Sequence, residues 1–232
     1  EAFFSIGSVP ANASNFKITE LHYHPEEPSS ENEISVSADR DDYEFIEFLN
    51  TASSPIDLSN IHFEDGINFT FTENTILNPG QRIVIVRDEN AFRARYGNDP
   101  KVNVAGEYSG RLSNDGERLL IKNSSTNDIV DFTYNDQLPW PTAADGAGPS
   151  LVLTGETANN PSNWKENALA GGRPGYPDAT VSSGFNEWKQ TNQITDSLGD
   201  NDADGLINLI EYAFNTNPNI AEPFSNPRAK VT

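Results

Sequence analysis

Tyr43-Glu44-Phe45-Ile46-Glu47-Phe48-Leu49 is the run on which the fold class turns. Aromatic and branched aliphatic side chains crowd it, the composition of a strand packed into a core. The Glu-, Asp-, Ser- and Pro-rich stretch 25–42 before it reads as a long exposed loop. Further upstream, Phe16, Ile18, Leu21 and Tyr23 alternate with polar residues, with one slip, as a strand would. Downstream, short strands fit 60–63, 68–72, 82–87, 117–122, 128–134 and 150–153, separated by the turn signals Asp65-Gly66, Pro79-Gly80, Asn114-Asp115-Gly116 and Asp145-Gly146. Residues 89–96 form the one helix expected among them.

Many short strands at this spacing, with almost no helix, imply an all-β chain folded as an immunoglobulin-like antiparallel β-sandwich. Val84, Val86, Leu120, Ile129 and Phe132 are expected in its core. The organisation read along the chain is an N-terminal linker (1–15), the sandwich (16–160), a Gly/Pro/Asn-rich wrap or linker (161–184), a short helical segment with a calcium loop (185–220) and a tail (221–232). A short helix is expected over 185–191, with Phe185 and Trp188 on one face.

With 232 residues the chain can build one large or two modest cores. Acids outnumber bases 35 to 15, the net charge is −20 and the pI is near 4.3. Such a field repels phosphate backbones and anionic membranes, so nucleic-acid binding and membrane insertion are disfavoured. The absence of cysteine excludes disulfides, thiolate catalysis and Cys-type zinc sites. No apolar run reaches membrane-spanning length. With no methionine either, the chain is expected to be a mature product or an excised piece of a larger polypeptide.

The clearest chemistry lies in Asp200-Asn201-Asp202-Ala203-Asp204-Gly205-Leu206-Ile207-Asn208-Leu209-Ile210-Glu211, which fits the calcium-loop pattern D-x-[DN]-x-[DN]-G-x5-E at every specified position. Asp200, Asp202 and Asp204 would direct carboxylates at one Ca2+ ion, with Gly205 permitting the turn. Leu206 would offer its backbone carbonyl, Asn208 would bind directly or through water, and Glu211 would close the shell bidentately. The alternative is a plain solvated Asx/Gly loop. Because 195–199 reads as loop rather than helix, a lone dockerin-like or thrombospondin-repeat-like site is expected instead of a paired EF-hand. Extracellular sites of this kind have dissociation constants of about 0.1 to 1 mM.

Residues 16–175 carry nine short motifs in order. They are Ile18-Thr-Glu-Leu-His-Tyr-His-Pro25, Glu44-Phe-Ile-Glu-Phe-Leu-Asn50, Ile56-Asp-Leu-Ser59, Phe63-Glu-Asp-Gly66, Leu77-Asn-Pro-Gly80, Phe92-Arg-Ala-Arg-Tyr-Gly97, Tyr108-Ser-Gly-Arg-Leu-Ser-Asn-Asp-Gly-Glu117, Pro139-Trp-Pro-Thr-Ala-Ala-Asp-Gly146 and Ser162-Asn-Trp164. In this the chain resembles the bacterial lamin-tail domain. The resemblance implies an immunoglobulin-like sandwich with a non-catalytic role, joined to other domains of large secreted proteins. The acidic insert at 26–42 departs from the family pattern.

Other candidates are weighed against plainer meanings. His22 and His24, with His62, would be metal ligands; packing or solvation is the simpler reading. Asp39, Asp41, Asp42, Glu44 and Glu47 would make a second calcium site, or paired carboxylates for glycoside hydrolysis, against a solvated acidic loop. Trp140, Trp164 and Trp188 would be stacking platforms for sugars, against core packing, with Tyr96 and Tyr108 open. Arg82, Arg87, Arg93 and Arg95 would form a modest anion spot. Ser5, Ser109 and Ser150 lack a G-x-S-x-G elbow, and no phosphate loop occurs. The expected function is therefore a non-catalytic, calcium-binding interaction or structural module of a larger secreted or cell-surface bacterial protein. Its partners would be calcium and other domains of the same polypeptide or an extracellular polymer. A carbohydrate- or surface-binding module is the alternative, and a hydrolase fragment the third.

Overall fold

Strands β2 (Phe16–His22) and β3 (Phe45–Asn50) pair antiparallel, with Leu21 opposite Ile46 and Glu20 opposite Glu47. The slip in the alternation of the first strand is a register shift between Ile18 and Glu20. An extra residue at this point returns Leu21 to the face already held by Phe16 and Ile18, and all three are buried. The same shift sends Glu20 and His22 to the opposite face, where both are also buried. The computed structural model to which these elements belong describes residues 7–123, 125–178, 189, 192–196, 198–214 and 217–221. The chain divides into two units, 1–181 and 182–232.

In the first unit β2 and β3 lie at the centre of a six-stranded sheet. Its order is β12 (Trp164–Ala170), β11 (Pro149–Leu153), β2, β3, β7 (Arg82–Val86) and β8 (Val104–Glu107). A three-stranded antiparallel sheet of β10 (Asp128–Thr133), β9 (Arg118–Lys122) and β5 (His62–Asp65) supplies a second layer. A small sheet of β1 (Val9–Pro10), β4 (Ile56–Asp57) and β6 (Ile76–Leu77) completes the strands. The main core holds Phe16, Ile18, Ile46 and Phe48 together with Phe63, Leu119, Ile121 and Phe132. Each large side chain removed from water this way contributes about 1.5–3 kcal/mol.

The other face of the six-stranded sheet has its own core of Phe45, Val84, Val86, Phe92 and Val102. It is covered by α2 (Glu89–Tyr96), which starts where Asp88 accepts a hydrogen bond from the Ala91 amide at 2.8 Å. The expected helix 89–96 is thus present. Val84 and Val86, expected in the sandwich core, belong to this second core instead, because alternation along β7 turns them away from Ile83 and Ile85.

The mostly-β, immunoglobulin-like sandwich expected from the sequence is present, with four differences. Not every pair is antiparallel, since β7–β8 and β1–β4 run parallel. Residues 68–72 make only isolated bridges, Asn68 to Ser109 and Thr70 to His62. The loop 25–42 contains α1 (Glu31–Val36), begun by a reciprocal cap in which Ser30 and Glu33 bond each other's backbone amides. The sandwich also exceeds its expected limits: Val9 pairs with Ile56, Ala11 is buried, and β12 extends the sheet to Ala170. In the second unit α3 (Asn208–Phe214) follows the acidic loop. The helix expected over 185–191 falls almost wholly outside the described residues, as does the tail beyond 221. Among the described residues no helix is long and apolar enough to cross a membrane.

Candidate metal centre

In the second unit the loop folds back on itself through its own carboxylates. The Gly205 amide donates to Asp200 Oδ2 at 3.0 Å, the Asp204 amide to Asp202 Oδ1 at 3.2 Å, and the Leu206 amide to Asp204 Oδ1 at 2.8 Å. Gly205 has φ +95, a backbone shape that side chains disfavour, which is why glycine stands there. Asp200, Asp202 and Asp204 each offer an oxygen within 4.8 Å of the others. Asn208 and Glu211 begin α3 fully buried. Asn208 is fixed by donating Nδ2 to the Asp196 carbonyl at 2.7 Å, while its amide donates to the Gly199 carbonyl at 2.8 Å. Among the described residues Asp202 Oδ2 and Asn208 Oδ1 are buried with no hydrogen-bond partner. The set contains only oxygens, which suits a hard cation.

The remaining sequence candidates are dispersed. His22 is fully buried between Tyr96 Oη at 3.2 Å and the Gly148 carbonyl at 3.1 Å, and burial, then Arg95, lowers its pKa to about 3. His24 meets Asp145 at 2.5 Å and Arg40 at 2.9 Å, and His62 stands 3.5 Å from Glu64. Among the described residues, neither cluster able to hold a metal contains histidine.

The acidic set 39–47 is not one site. Asp39 caps a short turn by accepting from the Asp41 amide at 3.0 Å. Asp41 faces Arg111 at 3.3 Å and Arg87 at 3.6 Å, and Asp42 faces Arg87 at 3.4 Å. Glu44 turns inward, where Oε2 accepts from Tyr108 Oη at 2.7 Å and the Leu112 amide at 2.9 Å while Oε1 has no partner. Burial pushes its carboxyl up to about 8, although both bonds pull it down. The anion spot fails for a related reason. Arg82 pairs with Glu47, Arg93 with Glu89 at 3.2 Å and Arg95 with Glu33 at 2.5 Å, so the guanidinium groups hold acids of the chain itself.

Trp140 and Trp164 are packed rather than displayed: Trp164 is 1% exposed and stacks on Phe132 at 5.4 Å between ring centres, with Trp140 at 5.8 Å. Tyr96 Oη donates to the Gly171 carbonyl and Tyr108 is buried. Ser150 is buried and donates to Glu20. Trp188 and Ser5 lie outside the described residues.

One cluster was missed from the sequence. Glu20 and Glu47, opposite each other on β2 and β3, are both 0% exposed, and Asp178 joins them with oxygens within 4.8 Å. The segment 171–178 covers them. Its Arg173 amide donates to Glu20 Oε1 at 3.0 Å and its Gly175 amide to Glu47 Oε2 at 2.6 Å. Burial, then the Asp178 and Glu47 charges, raises Glu20 well above the usual carboxylate range; burial raises Glu47 to about 7 against the pull of Arg82. The available signals were the broken alternation before Glu20 and an acid in the middle of the apolar run Phe45–Leu49.

Comparison with known proteins gives one family: the lamin tail domain model matches residues 10–136. No curated protein matches the chain.

Proposed function

The chain belongs to the lamin tail domain family, and from that premise we propose a non-catalytic, calcium-binding interaction or structural module of a larger secreted or cell-surface bacterial protein. The calcium part rests on the convergence of Asp200, Asp202 and Asp204 beside two buried oxygens without partners, Asp202 Oδ2 and Asn208 Oδ1. Such oxygens lose hydration on folding and gain nothing in exchange, whereas Ca2+ takes six to eight oxygen ligands. Glu211 and the Leu206 carbonyl would complete the shell. Coordination replaces repulsion among the aspartates and orders the C-terminal segment as a dockerin- or thrombospondin-type-3-like clip. The packing of Trp140 and Trp164 against Phe132 favours this structural reading over a sugar-stacking surface. The net charge of −20 favours partners other than nucleic acid, among them neighbouring domains of the same polypeptide or an extracellular polymer.

Calorimetric calcium titration of the parent and of Asp204→Ala tests the loop. The variant should lose one site of sub-millimolar to millimolar affinity. An unchanged site count in Asp204→Ala would remove the loop from the calcium reading.

A further inference from the structure

We propose that Glu20, Glu47 and Asp178 form a second, buried calcium site that clips the covering segment 171–178 onto the six-stranded sheet. This inference does not depend on the C-terminal loop; it stands on the first unit alone.

Glu20 is fully buried, and its two oxygens are treated differently. Oε1 accepts from Ser150 Oγ, from Asn167 Nδ2 at 3.0 Å and from the Arg173 amide at 3.0 Å. Oε2 is sealed from solvent with no hydrogen-bond partner. A carboxylate oxygen removed from water and left bare keeps the cost of its lost hydration, so such an oxygen points to a missing ligand. Its neighbours show what kind. Glu47 has Oε1 held by Thr19 Oγ1 at 2.5 Å and by Arg82, and Oε2 held by the Gly175 amide. Asp178 accepts from Asn167 Nδ2 at 3.0 Å and stands 3.9 Å from Arg82.

Charge narrows the choice. Three carboxylates meet one guanidinium, Arg82, so ionising all three leaves two negative charges unbalanced in the sheet interior. A divalent cation balances them, and a donor set made only of oxygen selects a hard one. Ca2+–O bonds of about 2.3–2.6 Å let one ion span oxygens roughly 4.6–5.2 Å apart, so three oxygens lying within 4.8 Å of one another can share it. Octahedral Mg2+ demands near-ideal geometry and gives up its waters reluctantly, which suits a buried set of protein oxygens less well.

The site joins chain segments that are distant in sequence: Asn167, which touches both Glu20 and Asp178, lies 147 residues from Glu20. An ion there would couple the central strands to the segment closing over them. The cover already lies so close to the acids that Gly172 has no room for a side chain, since a Cβ would run into Glu20 Oε1 and Ser150 Oγ.

The test uses the full chain carrying Asp204→Ala, so that the loop no longer contributes. Bound calcium is measured by elemental analysis as purified, after chelation and after return to millimolar calcium chloride, alongside thermal unfolding. The Asp204→Ala chain should hold one calcium and melt higher with it than in chelator. Adding Glu20→Gln should abolish both the ion and the shift while the chain still folds in chelator, because glutamine keeps the shape of the side chain and removes only the charge that the ion needs. If that variant fails to fold, Asp178→Asn, at the cover, replaces it with the same expectation. No calcium in the Asp204→Ala chain would overturn the proposal and leave protons shared among the three acids. Calcium retained by the Glu20→Gln and Asp178→Asn chains would overturn it equally. Calcium lost with Glu20→Gln but not with Asp204→Ala, in the parent background, would sink the loop reading and leave this one standing.

Discussion

Between about pH 5 and pH 8 the parent should lose stability as pH rises, and replacing Glu44 with Gln should flatten that fall. Glu44 is fully buried, with Oε1 bare and Oε2 accepting from Tyr108 and Leu112, and burial pushes its carboxyl from an ordinary 4.5 up to about 8. The folded chain therefore holds this proton more tightly than the unfolded chain does. The resulting stability is complete below about pH 4.5 and is lost as pH rises through about 8. Within that window each pH unit removes about 1.4 kcal/mol, so the group alone costs about 4 kcal/mol between pH 5 and pH 8. Against a typical total of about 5–15 kcal/mol that is readily measured. His22 acts in the opposite sense: held at about 3, it stabilises above its ordinary 6.5 and that stability is lost as pH falls. Glu47 also contributes to the parent's slope, so the informative quantity is the parent minus Glu44→Gln difference. Urea unfolding of both chains in chelator at pH 5, 6, 7 and 8 supplies it. Free energies that remain parallel within about 0.5 kcal/mol across the series would mean that Glu44 is ionised in the fold, and the reasoning would be wrong.

Trp164→Ala should cost about 3–5 kcal/mol in the same assay, since it empties a site packed by Phe132 and Trp140; a loss below about 1 kcal/mol would contradict that packing. Gly172→Ala should cost about 2–5 kcal/mol, because its φ is +77 and the added Cβ meets Glu20 and Ser150. Guanidinium unfolding checks this, and a neutral effect would mean that the cover sits higher over the acids. In 10 mM calcium the loop site, at a Kd of about 0.1–1 mM, should stabilise the parent by about 1.4–2.7 kcal/mol relative to Asp204→Ala, read from the calcium-dependent part of thermal unfolding.

Short-range signals were legible and long-range ones were not. The strands at 16–23 and 43–49 show in the sequence because apolar residues recur along them, and even the bulge before Glu20 shows as a broken alternation. The helix 89–96 was marked by its own residues, whereas α1 was hidden in an acidic run although Ser30 and Glu33 form a recognisable cap. β12 was unreadable because Trp164–Ala170 has no apolar-polar alternation and no β-branched residue; only pairing with β11 makes it a strand. The aspartates at 200–204 could be grouped because they are contiguous. Glu47 was grouped with its sequence neighbours 39–44, yet its partners are Glu20 and Asp178, brought to it by register and by a distant turn. A linear pattern cannot express that proximity.

The central position of β2 has a consequence in time. Its β3 neighbour follows shortly, but its other neighbour is β11, and 130 residues separate Glu20 from Ser150. At a ribosomal pace of about 5–20 residues per second, a nascent chain holds that edge of β2 unpaired for roughly 6–26 seconds. Throughout that interval the middle of the future sheet offers bare amides and carbonyls to any passing strand. Until β11 emerges, this chain depends on being kept from its neighbours, and crowded synthesis should favour aggregation over folding.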